Sequence, residues 1–185
     1  MPKGLAAKVT KKVSLYVKIR GWANKDEELK PIIIGLFGEH VPKTVANFAK
    51  LCTGEAGTGS KWPPLHYKGS HFHKIVANKY IEGGDFILHT GQSGDSIYGA
   101  SFDDENLELP FDRPFLVAMA NRGQPNSNDS RFMITVGVLP EFTGTHVVFG
   151  QVISGFETVM ALNRQGTQNG RPDNVVEFVD ATILD

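Results

Sequence analysis

The side chains best placed to do chemistry gather between His66 and Phe86, in HYKGSHFHKIVANKYIEGGDF. His71 and His73 stand two apart, so a strand would set both imidazoles on one face, the beginning of a metal site. No third ligand follows at metal spacing, and the pair reads as structural or surface. The run Gly54 to Lys61, GEAGTGSK, approaches a phosphate loop. Its serine and lysine are in the wrong order, however, and Trp62-Pro63-Pro64 forbids the helix that must follow. The single cysteine, Cys52, allows no disulfide within one chain and fits a reducing compartment, most simply the cytosol.

The elements that must carry these residues are mostly strands. Phe72 to Val76 mixes aromatic and β-branched residues with polar ones, as a strand does, and Gly83-Gly84 lets the backbone turn or approach another segment closely. Val13 to Ile19 alternates apolar and polar residues, and Pro31 to Phe37 is a second, more apolar strand, the two forming a hairpin with a long connection. Val45, Phe48, Ala49 and Cys52 share one face at helical spacing, with Gly54 as a stop. Further strands are expected in Pro114–Asn121, Arg131–Val136, Thr145–Val152 and Val175–Leu184, with a short second helix after Gly155 around Val159, Met160 and Leu162. Many short strands and only two helices predict an antiparallel β-barrel.

Composition narrows the partners. A chain of 185 residues is one domain's worth, and its 41% apolar and 21% charged residues are ordinary for a soluble globular protein. A net charge of −1 argues against nucleic acid, which needs clustered Lys and Arg. Lys3, Lys8, Lys11 and Lys12 give the only basic bias, and residues 1–11 read as a flexible, solvated tail ahead of a single domain over 12–185. No apolar run is long enough for a signal sequence or a membrane span.

Five separated motifs then resemble one family, the cyclophilins, which are peptidyl-prolyl cis–trans isomerases. They are the tract from Val41 to Glu55, VPKTVANFAKLCTGE; Gly83 to Phe86; Ser96 to Gly99; Met119-Ala120-Asn121; and His146 to Gly150. The resemblance covers about residues 12–185. It implies a mainly β fold, a closed eight-stranded antiparallel β-barrel capped by two α-helices, with substrate in a groove on the outer face. It also implies no cofactor and no metal, and X–Pro peptides or protein clients as partners; the composition adds no nucleic acid, no membrane and a cytoplasmic location, and a monomer is the default expectation. The stretch between Gly54 and Tyr67 resembles the extended loop of the family's divergent-loop members. In some of these a cysteine at the position of Cys52 is proposed to pair with a second one, which this chain lacks.

The resemblance also assigns the site, and here the chain departs from its family. Lys74 stands where the catalytic arginine is expected, and Glu82 where a glutamine steadies that arginine. Lys79 and Tyr80 replace the pocket phenylalanine and methionine, Met133 a second phenylalanine, and Phe142 a leucine. Arg131 replaces a groove glutamine. Asn121 and His146 are kept, with Lys74 and Glu82, as the catalytic set. Tyr80, Ala120, Arg131, Met133, Phe142, Lys79, Gly91 and Glu141 make the substrate-binding set. Lysine keeps the charge of arginine but loses its planar fork, so an exchange at a site needing two directed bonds is not conservative. Glu82 beside Lys74 and Arg131 suggests a charge network that either orients Lys74 or fills the groove. Arg122 and the extra residue Gln124 are expected to narrow or re-charge the second pocket, and Lys79 to point to solvent. Glu141, in place of a tryptophan, predicts weak or absent cyclosporin binding. Two readings follow: an isomerase with reduced activity, or an inactive cyclophilin-fold module that binds proline-containing segments or a partner protein.

Overall fold

Strand alternation sorts the central residues into two layers. Across four neighbouring strands Ile75, Ile81, Ile134 and Val117 lie in register and are buried in the core. One residue along, Lys74, Glu82 and Met133 lie in register on the opposite, outer face. The computed structural model in which this is seen describes residues 7–22 and 28–184. Residues 1–6 of the expected tail, and part of the connection after the first strand, lie outside the described residues.

The elements run β1 (Lys11–Ile19), β2 (Ile32–Leu36), α1 (Pro42–Thr53), β3 (Lys74–Val76), β4 (Tyr80–Gly83), β5 (Leu116–Met119), β6 (Phe132–Thr135), β7 (Val148–Ser154), α2 (Phe156–Asn163) and β8 (Val176–Leu184). β1 opens one residue inside the expected tail, and the Thr10 N–H already donates to the Leu36 carbonyl at 2.9 Å. β1 and β2 form the expected antiparallel pair. The hairpin of β3 and β4 was not expected from the sequence. Its turn is made by Asn78, at a φ of 63°, a conformation asparagine tolerates.

Among the described residues eight strands form one antiparallel sheet in the order β3-β4-β6-β5-β7-β2-β1-β8. The expectation of a fully closed barrel is corrected: the sheet curls, but its end strands β3 and β8 do not pair along a ladder. Closure is confined to the segment before β3, where the Phe72 N–H donates to the Val176 carbonyl and the Phe178 N–H to the Ser70 carbonyl, around a His71–Glu177 bridge. The reason lies in β3, whose free edge is occupied by another segment. The Ile75 N–H donates to the Gly170 carbonyl and the Ala77 N–H to the Thr167 carbonyl, so the 167–170 loop covers the edge that a closing strand would need.

Inside the curl, Phe48 of α1 packs on Phe132 and Phe149 with ring centroids 5.1 and 5.0 Å away, and Tyr67 donates its hydroxyl to the Ser130 carbonyl at 2.6 Å. α1 packs against β8, and α2 against β2, β3 and β4. α1 ends where Gly54 takes a φ of 73° and returns its N–H to the Lys50 carbonyl. Its first turn is capped from a distance: the Glu105 carboxylate accepts the Lys43 and Thr44 N–H groups at 2.8 and 3.0 Å. The 54–66 insertion is tied down by Asp95, which accepts the Ser60 hydroxyl and the Lys61 N–H. Cys52 is buried in the core, which pushes its thiol pKa up and away from thiolate chemistry.

Candidate functional site

The outer face of β3, β4 and β6 turns Lys74, Tyr80, Glu82 and Met133 to one side. The Lys74 ammonium sits 5.5 Å from the Tyr80 ring centroid, in reach of a cation–π contact. From Tyr80 a row of rings continues: Phe142 at 5.6 Å, then His146 at 4.6 Å from Phe142, with Phe111 edge-on to Phe142 at 5.7 Å. Asn121 closes the far end by donating its side-chain N–H to the Thr145 carbonyl at 2.8 Å, and it accepts the Gly123 N–H. Lys74, Tyr80, Phe142, His146 and Asn121 therefore do come together, as a cation at one end of an aromatic floor and an amide at the other. Met133 lies beneath, almost wholly buried.

Lys74 is half-buried but well supported. The neighbouring Tyr80 hydroxyl and, more weakly, the Glu82 carboxylate raise its pKa against the cost of burial. Its stem runs along Gly170, where an added Cβ would sit 2.9 Å from Lys74 Cγ, and Gly170 has a φ of +87°. His146 is kept neutral at pH 7, because burial lowers its pKa more than the Glu82 and Asp104 charges raise it. The Thr145 hydroxyl lies 2.8 Å from His146 Nδ1 and 3.0 Å from the Phe142 carbonyl, which fixes the orientation of the ring.

The charge network expected around Glu82 splits in two. Glu82 accepts from His73 Nε2 at 3.1 Å rather than binding Arg131. Arg131 is held by Asp129, through Nε at 3.1 Å and Nη2 at 2.9 Å, and by the Gly91 carbonyl at 2.6 Å. Asp129 is 0% exposed and Arg131 6%. Burial alone would lower the arginine pKa, and the Asp129 carboxylate more than compensates. Arg122 also reaches Asp129, at 3.3 Å, and donates to the Ala100 carbonyl at 3.2 Å.

Asp85 builds the next wall. Its carboxylate accepts the N–H groups of Ile87, Leu88, Thr90, Gly91 and Ser93 at 2.8 to 3.2 Å. Burial raises its pKa, but these backbone donors outweigh that and leave it below the ordinary value of 3.8. Gly91 is thereby fixed at a φ of +83°, where any Cβ would overlap the His73 ring. Its N–H and carbonyl are both spent, on Asp85 and Arg131. Ala120 is buried, with its N–H on the Arg131 carbonyl. Lys79 is exposed on the β3–β4 turn, and Glu141 is exposed in a 3-10 turn, Pro140–Phe142, that aims Phe142 inward. His71 packs against His89 with ring centroids 4.8 Å apart and the planes tilted by 37°. Among the described residues no group of three or more His, Cys, Asp or Glu is arranged to hold a metal ion.

A family model described as cyclophilin type peptidyl-prolyl cis-trans isomerase/CLD matches residues 23–183. The chain belongs to that family. The cyclophilin-type chain is also 46% identical over 174 residues to the peptidyl-prolyl cis-trans isomerase CYP21-1 of Arabidopsis thaliana, covering 94% of this chain and 75% of the relative. Membership agrees with the mainly β architecture and the two helices. Among the described residues no helix is long and apolar enough to cross a membrane.

Residues that sequence reasoning missed are those that hold the cyclophilin site in shape: Asp129, Asp85, Gly170 and Phe111. Asp129 and Arg131 stand two apart with opposite charges, which was a usable signal. An aspartate after two glycines and before a loop was another, since aspartates there accept local backbone N–H groups. Nothing in the sequence joins Gly170 to Lys74; only the loop's pairing with β3 does.

Proposed function

We propose that this cyclophilin-type chain catalyses cis–trans isomerisation of X–Pro bonds in peptide or protein clients, with Lys74 as its cationic group. The observation that carries the proposal is the half-buried Lys74 at one end of the Tyr80–Phe142–His146 floor. Rotation about an X–Pro bond faces a barrier of roughly 18–20 kcal/mol, because the twisted amide loses resonance. The catalyst must seat the proline ring, hold the flanking backbone, and prefer the twisted amide to the planar one. The aromatic floor with Met133 supports the first task, and the segment after β5 that carries Ala120 and Asn121 the second. For the third, the twisted bond returns a lone pair to the pyramidal nitrogen, which a nearby ammonium stabilises by donating to it.

The activity on short peptides is low compared with members that carry the arginine. A lysine offers one point charge where the fork offers two aligned donors. Lys79 exposed at the turn also leaves the pocket one ring short. With Glu141 rather than an aromatic ring at the rim, cyclosporin binds weakly or not at all, and a tight complex in calorimetry would refute this. The inactive-module reading is favoured by one observation: Arg131 and Glu82 are engaged by Asp129 and His73, leaving Lys74 to act alone.

An NMR-exchange assay on X–Pro peptides tests the proposal with Lys74→Ala and Lys74→Arg. The alanine variant is expected to lose at least about tenfold in kcat/KM, the equivalent of ~1.4 kcal/mol, and the arginine variant to exceed wild type. No acceleration by any of the three folded proteins would leave the binding module as the better account.

A further inference from the structure

At the end of the groove opposite Lys74, beyond Asn121 and His146, lies a hollow of about 200 Å³. Leu107 and Pro125 give it apolar walls, Gln124 stands exposed at its rim, and Asp104 supplies a carboxylate. Leu107 also packs on the core, so that wall is firm. The volume suits one long side chain entering from the groove, with which the hollow shares Asn121 and His146.

The Asp104 carboxylate is held in place rather than loose on the surface. It is half-buried; its Oδ1 accepts the Asn128 side-chain N–H at 2.8 Å, and its Oδ2 accepts the Asn126 N–H at 3.0 Å. The Asp104 N–H returns to Asn126 Oδ1 at 2.9 Å, and Asn128 is itself buried, so the carboxylate is pinned from both sides. Both donors are neutral, and a carboxylate accepts about four hydrogen bonds, so these two leave its charge unmatched. Asp104 forms no ion pair among the described residues.

No other group lining the hollow neutralises it. Asn121 spends its amide on the Thr145 carbonyl and the Gly123 N–H, and His146 is neutral at pH 7 because burial lowers its pKa. Arg122, beside the rim in sequence, turns to Asp129 and the Ala100 carbonyl. Lys43 lines a neighbouring hollow of about 590 Å³ that also includes Asp104, but Asp103 and Glu105 stand there too, so carboxylates outnumber the ammonium.

We propose that the smaller hollow is a cation subsite of the groove, receiving a lysine or arginine side chain that the client carries within about three residues of its proline. The stem lies along Leu107 and Pro125 while the charged head meets Asp104. The inference rests on the isomerase reading for its client, since Asn121 and His146 belong to both the groove and the hollow. Each extended residue spans about 3.3–3.6 Å, so a side chain near a proline seated on the floor reaches past His146. With Lys74 at one end and Asp104 at the other, the groove is polarised, and a basic residue fits on one side of the proline only.

The test uses X–Pro peptides carrying lysine, norleucine, alanine or glutamate at one position, moved through the three residues on either side of the proline, with turnover read by NMR exchange. Norleucine keeps the lysine stem without the ammonium. Wild type is expected to favour lysine over norleucine about three- to fivefold in kcat/KM, on one side of the proline only, and to disfavour glutamate there. Sodium chloride at about 0.5 M is expected to shrink that ratio. Asp104→Asn should bring the ratio towards one. Gln124→Lys should do the same by placing an ammonium at the rim, and its exposed position keeps the test open if Asp104→Asn disturbs the fold. In parallel, binding of the lysine and norleucine peptides is read from the amide resonances of the rim residues Gly123 and Gly144. Turnover without a lysine preference at any position overturns the subsite and leaves the isomerase reading standing. A preference untouched by both variants overturns it as well, and equal gains from norleucine and lysine make the hollow an apolar pocket instead. If no peptide is turned over, the isomerase reading falls and the titration decides alone: equal responses to the two peptides sink the subsite, and tighter lysine binding lost in either variant supports it.

Discussion

The two sides of the groove handle charge in opposite ways. On the side of the 85–93 loop, Arg131, Asp129 and Asp85 are buried, and each is matched by several directed partners. On the side of β3, Lys74 is half-buried, with the Tyr80 ring 5.5 Å away and its stem beside Gly170. Buried charge is tolerated only when it is paired and hydrogen-bonded, so the first side is rigid and its charges are unavailable to a substrate. The second side retains a cation that can still turn to a ligand. A substitution that adds charge to this groove therefore does opposite things depending on depth: Arg131 becomes structure, and Lys74 remains chemistry.

The largest test of that contrast removes Asp129. Asp129→Ala leaves Arg131 buried without its carboxylate, and a loss of about 3–5 kcal/mol is expected in urea denaturation. The double variant Asp129→Ala, Arg131→Gln should recover much of it, since the orphaned charge goes too. A loss below about 1 kcal/mol for the single variant would mean that Arg131 turns out to solvent, and the two sides would no longer differ.

Next comes Asp85. Its pKa is lowered in the folded chain, so the carboxylate contributes stability above its unfolded value of 3.8 that is lost as pH falls through the folded value. Asp85→Asn should cost about 2–3 kcal/mol at neutral pH, as a charged acceptor of five backbone N–H groups is removed. The variant should also show a flatter fall in urea midpoint below pH 3.8 than wild type. Equal slopes for the two proteins would remove Asp85 as the group responsible.

The smallest effect belongs to the looser side. Tyr80→Phe keeps the ring but deletes the hydroxyl that raises the Lys74 pKa. Stability should move by no more than about 0.5 kcal/mol, while kcat/KM falls about two- to fivefold. A stability loss as large as that of Asp129→Ala would show Lys74 to be a buried structural ion after all.

The sequence by itself determined the family, the two helices, most of the strands and the positions at which the groove is altered. Those features are written locally: strand alternation, Gly54 and Gly155 at helix ends, and tracts such as VPKTVANFAKLCTGE. It also placed Lys74, Tyr80, Phe142, His146 and Asn121 in one site, because those positions match the family's motifs. What it could not decide was which charge meets which. Glu82 has Lys74 opposite it across the strands, yet it binds His73, while Arg131 turns back to Asp129 two residues away. Those choices depend on desolvation, which is a property of depth and not of spacing. The closure of the sheet was likewise settled by tertiary structure. The short β3 gives its free edge to the 167–170 loop, and a strand's edge has room for only one partner.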